Sequence, residues 1–182
     1  MTTSDSSVAA FSTAWLEQQY DNRKRVPEFA QHIARWRETS VQARARLACH
    51  LDVAFMADDA LTLDVFPAAR AGAPVLVFLH GGYWRTLDKA DFSFVAAPFV
   101  AAGAMVVVPN YALCPAVTVD TIALQTAHAM AWVHRHAARH GGDARRTVVA
   151  GHSAGGHLAA MLLACDGRLL APDLPARLTR RA

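Results

Sequence analysis

The spacing of apolar residues changes along the chain, from a helical pattern near the start to strand-like patterns further on. A helix is predicted to begin near Pro27, which suits a first helical turn, because apolar residues recur after it at roughly helical spacing: Phe29, Ile33, Trp36 and Val41. Residues 61–66 then alternate in strand fashion, with Leu61, Leu63 and Val65 on one side. This part of the chain therefore predicts a helix followed by a strand.

Three later runs consist of β-branched and apolar residues without interruption, at residues 75–79, 105–108 and 147–150. Runs of this kind are typical of strands buried on both faces of a parallel sheet. Helical patterns lie between and after them, at residues 88–102, 119–137 and 156–164, and glycines are expected to end them: Gly103, Gly141 with Gly142, and Gly167. Alternating strands and helices imply right-handed crossovers, so we predict an α/β fold, a mostly parallel sheet with helices on both faces.

Composition favours one folded domain across residues 1–182. Hydrophobic residues make up 53% of the chain and charged residues 18%, which indicates a packed core. The three cysteines are widely spaced and form no C-x-x-C pair, as expected in a reducing compartment. The polar start lacks the apolar run of a secretory signal. We therefore expect a cytoplasmic protein with no membrane partner.

The net charge of +3 does not indicate a nucleic-acid partner. Basic residues between positions 23 and 46 are interleaved with Glu28 and Glu38 and lack regularly spaced aromatic residues. A solvated helix face explains this pattern better than a groove that follows a phosphate backbone.

The strongest chemical signal is the sequence G-H-S-A-G at residues 151–155, between the predicted strand 147–150 and the last predicted helix. In that context G-x-S-x-G is typical of a nucleophile elbow, a sharp turn that presents a serine. The small flanking residues permit a strained backbone, and the helix dipole points toward an oxyanion. We predict Ser153 as the catalytic nucleophile. The alternative, a glycine turn for close packing only, is disfavoured because G-x-G-x-x-G is absent.

A second glycine turn, H-G-G-Y-W at residues 80–84, follows the predicted strand 75–79. Loops of the H-G-G-G type supply oxyanion donors in esterases, so we assign the oxyanion hole to the amides of Gly81, Gly82 and Ala154. Tyr83 and Trp84 replace a further small residue. They are either core aromatics or a wall that binds a flat aromatic substrate.

Together these stretches resemble the kynurenine formamidase (arylformamidase) family of α/β-hydrolases. The matching stretches are residues 80–84, N-Y-A-L-C-P-A-V-T at 110–118, G-G-D at 141–143 and G-H-S-A-G-G-H-L-A-A-M at 151–161. The resemblance implies hydrolysis of N-formylkynurenine to formate and kynurenine in tryptophan catabolism, without a metal or cofactor. It also implies that Ser153 attacks the formyl carbon while Tyr83 and Trp84 border the aryl group of a small-molecule substrate, an aryl formamide or ester.

The catalytic acid and histidine that the resemblance implies have no counterpart in the sequence. Both should follow the serine, yet only His157 does, one turn along the same predicted helix. Asp166 and Asp173 come before any further strand. We therefore expect an incomplete domain without the last sheet strands. The strand 147–150 would then be an exposed sheet edge, and a homodimer is left open as one way to cover it.

The remaining histidines are not predicted to be catalytic. His136 and His140 share a helix face but lack the pattern H-E-x-x-H, so no metal site is expected. We expect His80 to brace the glycine loop and His152 to pack beside the nucleophile.

Three functions remain open: a formamidase, a broader carboxylesterase, and a non-catalytic fragment that binds aromatic ligands or associates through its sheet edge. Generic esterases share the elbow and the H-G-G loop, which supports the second. The third follows because a serine without a general base is a poor nucleophile.

Overall fold

The structure is a computed structural model that describes residues 11–56 and 61–179. One compact unit ends at Arg35 and a second runs from Trp36 onward. Three helices come first: α1 (Thr13–Tyr20), α2 (Asn22–Arg25) and α3 (Phe29–Arg46). The hydroxyl of Ser12 accepts the amide of Trp15 at 3.2 Å and so caps α1. The expectation of a single domain stays a prediction.

The second unit contains a five-stranded sheet in the order β1-β2-β4-β3-β5. Its strands are β1 (His50–Ala54), β2 (Thr62–Phe66), β3 (Ala73–Leu79), β4 (Met105–Pro109) and β5 (Gly142–Gly151). The central strand β3 pairs in parallel with β4 and β5, whereas β2 is antiparallel to both of its neighbours. Four of the five strands therefore run in one direction, which confirms the predicted mostly parallel α/β sheet.

Apolar side chains cover both faces of this sheet. In β4, Met105 and Val107 belong to one buried cluster, and Val106 and Val108 belong to another on the opposite face. Helices α5 (Val119–His136) and α6 (Ala154–Ala164) pack on the first cluster through residues such as Ile122 and Leu158. Phe92 and Trp36 pack in the second. The runs at residues 75–79 and 105–108 were therefore correctly interpreted as strands buried on both faces, whereas this interpretation was wrong for the run at 147–150, where Val148 is 49% exposed.

The segment predicted as one helix, residues 88–102, divides into a 3-10 helix (Lys89–Val95) and helix α4 (Ala96–Ala101). Proline has no amide hydrogen and is tolerated only in the first turn of an α-helix. Pro98 is the third residue of α4, so an α-helix that began at Asp88 would have placed it in the interior. Gly103, with φ +88°, follows the helix as predicted.

Other details of the sequence-based prediction were wrong. Val41 is 57% exposed and takes no part in the core. Strand β2 is buried on both faces, because Asp64 is only 1% exposed, and strand β1 was not predicted at all. Helix α6 ends at Ala164, before Gly167, which begins a short 3-10 turn.

Strand β5 is an edge strand. Among the described strands it pairs only with β3, and Val148 in its centre is 49% exposed. The predicted sheet edge is therefore present. None of the helices in the described ranges combines the length and apolar character needed to cross a bilayer.

Candidate active site

Ser153 lies at the junction of β5 and α6, in a backbone conformation of φ 52° and ψ −116°. Such conformations cost non-glycine residues about 1–3 kcal/mol and persist only where the surroundings enforce them. The surroundings here are close backbone contacts, since a Cβ at Gly155 would collide with the carbonyl oxygen of Leu79, and a Cβ at Gly151 with that of Gly155. The serine side chain is exposed at this turn. The geometry is that of the predicted elbow.

The end of β3 lies beside the elbow. Leu79 and Gly151 are aligned in the parallel pairing of β3 and β5, and the amide of His152 donates to the carbonyl of Leu79 at 3.1 Å. The loop that follows β3 therefore starts next to Ser153. A Cβ added to Gly81 would lie 3.3 Å from the Cβ of Ser153 and 2.7 Å from Nδ1 of His152. The tertiary structure thus brings Gly81 into contact with Ser153.

Three amide groups around the elbow remain available to a ligand. Within residues 11–56 and 61–179, the N–H groups of Gly81, Gly82 and Ala154 donate no hydrogen bond. Backbone amides normally find a partner when they are buried, and Gly81 and Ala154 are buried residues. Ala154 is also the first residue of α6, where the helix dipole places partial positive charge. This set of donors suits an anionic oxygen.

The loop after Gly81 is held by a compact turn. The carbonyl of Gly82 accepts hydrogen bonds from the amides of Arg85 and Thr86 and from the hydroxyl of Thr86, each at 3.0 Å. Gly82 itself has φ +119°, and a Cβ there would collide with the carbonyl oxygen of Thr86. Glycine is therefore required at this position.

The two aromatic residues of the loop differ in burial. Tyr83 and Trp84 both have positive φ, at 58° and 55°. Tyr83 is 71% exposed, which contradicts its interpretation as a core aromatic. Trp84 is half-buried against the core, and its Nε1 is buried with no hydrogen-bond partner in the described part of the chain. Its ring contacts His157 edge-on, with centroids 5.2 Å apart.

His80 lies beneath the glycine loop with no exposed surface. Its Nδ1 is 2.8 Å from the carbonyl oxygen of Gly81, and its Nε2 is 3.1 Å from Oδ1 of Asn110. The ring stacks on Tyr111 with centroids 4.1 Å apart, and the Tyr111 hydroxyl donates to the His80 carbonyl at 2.7 Å. Burial lowers the pKa of His80 and raises that of Tyr111. These contacts agree with the expectation that His80 braces the loop.

A buried charge cluster adjoins this network, and the sequence analysis missed it. Lys89 is 5% exposed, and its Nζ donates to Asp64 at 2.6 Å and to Asp52 at 2.7 Å. Burial lowers the pKa of Lys89, but the hydrogen bonds that it donates to Asp52 and Asp64 outweigh that effect and raise the pKa overall. The sequence offered one signal, an aspartate inside the apolar pattern of residues 61–66.

No general base for Ser153 is found in the described residues. The serine hydroxyl makes no hydrogen bond within residues 11–56 and 61–179. His157 lies one turn along α6 and faces Trp84, whereas His152 packs edge-on against Trp36 at 5.6 Å. The structure therefore brings Ser153, Gly81 and Ala154 together but supplies no histidine to the hydroxyl.

The histidines away from the elbow form a separate group. His50 contacts His140 at a ring distance of 5.0 Å, and Trp132 contacts His136 at 4.9 Å. Burial and the neighbouring cations Arg139 and Arg135 lower the pKa of His136. The described residues include no cluster of three or more ligands with the arrangement of a metal site.

Comparison with known proteins gives consistent matches to hydrolases. Residues 63–169 match the family BD-FAE. Kynurenine formamidase of Danio rerio is 31% identical over 137 residues, which cover 74% of this chain and 45% of the fish protein. Carboxylesterase NlhH of Mycobacterium tuberculosis is 39% identical over 98 residues, covering 53% of this chain and 30% of the esterase. The chain thus spans less than half the length of these two relatives.

A solved structure shows the same fold. A protein from Silicibacter sp. TM1040, described as a candidate thioesterase, superposes with a TM-score of 0.74 at 31% sequence identity. The match covers 81% of this chain and 55% of that protein. Likeness at this level supports the observed α/β-hydrolase fold.

Proposed function

Because the chain belongs to the BD-FAE family and has an α/β-hydrolase fold, we propose that it carries the nucleophile of a serine hydrolase that cleaves aryl formamides, with N-formylkynurenine as substrate. The observation that carries the proposal is the contact between Gly81 and Ser153 at the ends of two neighbouring parallel strands. Chemistry in open α/β sheets takes place at these strand ends.

In the proposed reaction, Oγ of Ser153 adds to the formyl carbon and its proton passes to a general base. The carbonyl oxygen becomes an oxyanion, which accepts hydrogen bonds from the unpaired amides of Gly81, Gly82 and Ala154. Collapse of this intermediate breaks the C–N bond, and the aryl amine leaves with a proton. Water then hydrolyses the formyl ester to formate and regenerates the serine.

The general base and its acid are not assigned to the described residues. In α/β-hydrolases these two groups follow the serine in the chain. The proposal therefore places them in the part of the relatives' length that the alignment does not cover, which is more than half of the fish formamidase. Without them, an oxyanion hole supports only residual activity.

Tyr83 and Trp84 are proposed to border the aryl group of the substrate. The exposed ring of Tyr83 offers a surface for stacking, and the buried Nε1 of Trp84 is a donor without a partner in the described ranges. A small acyl group with a large planar leaving amine is consistent with aromatic residues beside the oxyanion loop.

A fluorophosphonate probe tests the nucleophile directly, since it phosphonylates activated serines. Because the described residues supply no general base, we expect slow labelling of the folded chain at Ser153, and none in Ser153→Ala. Thr179→Ala, a hydroxyl residue near the end of the described chain, is the matched control and should label as wild type. An unlabelled but folded wild-type chain would support the non-catalytic alternative instead.

A carboxylesterase is the second candidate, and the identity to NlhH favours it. Turnover of N-formylkynurenine and of short p-nitrophenyl esters by the same sample separates the two. The formamidase proposal predicts a higher kcat/KM for the formamide. A higher kcat/KM for the esters, with the same preference in Tyr83→Ala and Trp84→Ala, would favour the esterase.

A further inference from the structure

We propose that Asn110 is a positioning residue, which sets the oxyanion loop through the ring of His80; the proposal rests on the proposed function of Ser153. Asn110 directly follows β4, one strand away from the elbow. Its Oδ1 lies 3.1 Å from Nε2 of His80, and Nδ1 of the same ring lies 2.8 Å from the carbonyl oxygen of Gly81. Both oxygens are acceptors, and a neutral imidazole has a single N–H, so the ring donates to one of them and only packs against the other. The imidazole thus lies between Asn110 and the peptide that joins Gly81 to Gly82.

The carboxamide of Asn110 offers both a hydrogen-bond acceptor and a donor, and its three neighbours His80, Lys89 and Asp88 use both. Its Oδ1 also accepts the backbone amide of Lys89 at 3.3 Å, and its Nδ2 donates to Oδ2 of Asp88 at 2.7 Å. The site therefore needs an acceptor facing His80 and Lys89 and a donor facing Asp88. A carboxylate cannot donate, and an aliphatic side chain can do neither.

His80 is restrained on its other sides as well. Tyr111 stacks on the ring and donates its hydroxyl to the His80 carbonyl. Phe92 packs on the ring with centroids 5.8 Å apart. Because the ring has no exposed surface, water cannot replace a lost partner without rearrangement. Removal of the Asn110 amide is therefore expected to shift His80 and, with it, Gly81.

A shift of Gly81 matters because this residue is in contact with Ser153. Displacement of an oxyanion donor by about 1 Å lowers rates by about a hundredfold, even though ligand binding is little affected. Within residues 11–56 and 61–179 Asn110 forms no hydrogen bond with the elbow, so its effect would pass through His80.

The first test compares the labelling kinetics of Asn110→Ala and Gln125→Ala with wild type. Gln125 is a matched control, because its buried amide accepts the N–H of Ala112 at 2.9 Å in the same loop but does not contact His80. We expect Asn110→Ala to lower the maximal rate of Ser153 phosphonylation about tenfold or more, with little change in the half-saturating probe concentration. Gln125→Ala should stay within about threefold of wild type, and equal rates for Asn110→Ala and wild type would overturn the proposal.

An exchange of the amide and the carboxylate provides a rescue test. Asn110→Asp alone sets two carboxylates against each other and should label slowly. Adding Asp88→Asn exchanges the donor and the acceptor between positions 88 and 110. In wild type the Asp88 carboxylate accepts the N–H of Ala90 at 2.8 Å, and the amide oxygen of the new asparagine can still accept it. Recovery of labelling in the double variant supports the proposal even if Asn110→Ala fails to fold. A double variant that folds but labels no faster than Asn110→Asp overturns it.

A second readout does not depend on the reactivity of Ser153. Nuclear magnetic resonance of the His80 ring and of the Gly81 and Gly82 amides reports the loop in the full chain. Asn110→Asp adds a negative charge beside Nε2, so the pKa of His80 should rise, and these amide signals should shift more than in Gln125→Ala. The two proposals can therefore fail separately. An unlabelled wild-type chain overturns the hydrolase proposal, whereas His80 and glycine signals that are the same in Asn110→Asp and wild type overturn the role of Asn110.

Discussion

The elbow at residues 151–156 and the proposed oxyanion loop at residues 80–87 follow neighbouring strands, yet different interactions hold them. At the elbow, backbone atoms approach so closely that Gly151 and Gly155 leave no room for a Cβ. In the loop, Tyr83 and Trp84 adopt positive φ with full side chains, and hydrogen bonds to the Gly82 carbonyl fix the turn. The elbow depends on steric fit, in part against the end of β3. The loop depends in addition on hydrogen bonds, from Thr86 nearby and from Asn110 and Tyr111 further along the chain.

The largest effect is expected from the buried charges beside the loop. Lys89→Met leaves Asp64, which is 1% exposed, without its cation. Loss of one partner of a buried ion pair costs about 3–5 kcal/mol, so the free energy of unfolding in urea should fall by that amount. Arg145→Met, which removes an exposed ion pair with Asp143, should change the free energy of unfolding far less. Equal losses in the two variants would show that the buried cluster has no special role.

The steric nature of the elbow is tested by two adjacent glycines. Gly155→Ala would force a Cβ against the Leu79 carbonyl and to within 2.6 Å of the His80 carbonyl oxygen, and should lower the free energy of unfolding by about 3 kcal/mol. At Gly156 the nearest atom to a Cβ is 3.4 Å away, so Gly156→Ala should be neutral or stabilise α6 by up to about 1 kcal/mol. Urea unfolding measures both, and similar values would refute the steric argument.

The hydrogen bonds of the loop are tested at Thr86. Thr86→Val removes the hydroxyl that donates to the Gly82 carbonyl at 3.0 Å, while it keeps the shape of the side chain. We expect a loss of about 1 kcal/mol in unfolding free energy and a severalfold slower phosphonylation of Ser153. Thr86→Ser retains the hydroxyl and should label at close to the wild-type rate. Labelling that is slower in Thr86→Ser than in Thr86→Val would contradict the role given to this bond.

The smallest effect concerns pH. A hydrogen bond from Lys89 holds the pKa of the Asp52 carboxyl below its ordinary value of 3.8. A depressed carboxyl pKa stabilises the folded chain above that ordinary value, and the contribution is lost as the pH falls through the lowered pKa. Because the Asp52 side chain is 74% exposed, we expect less than about 1 kcal/mol.

Asp52→Asn is the variant for this measurement, since asparagine tolerates the φ of +55° at this position. Urea midpoints measured between pH 2 and 6 should show a shallower acid-side decline than wild type. An unchanged pH profile would exclude a contribution from Asp52.

Much of the fold could be predicted from the sequence because apolar patterns are local. The runs at β3, β4 and the end of β5 were identified, and so was α5. The elbow was identified as well, because the turn requires glycine at positions 151 and 155 and the sequence has it there. Strand β1 was missed, since only one of its five side chains, Val53, is even partly buried and no apolar pattern marks it.

The candidate site was predicted in part. Ser153 was identified from its place between a strand and a helix, and the prediction for Gly81 agrees with its contact to the elbow. The substrate contacts of Tyr83 and Trp84 stay a prediction. Lys89 and Asn110 were not recognised, because their partners lie far away along the chain and no spacing rule relates them.

The sequence by itself determined that β3 and β4 are buried strands, where the chain turns sharply and which serine occupies the turn, because these features depend on residues within a few positions of one another. Only the tertiary structure decided that the loop after β3 meets the elbow after β5, and that Asn110 and Tyr111 contact His80, the residue that starts this loop. The physical reason is that hydrogen bonds and ion pairs between strands depend on the order of strands in the sheet. That order follows from the packing of the whole sheet and leaves no local pattern in the sequence.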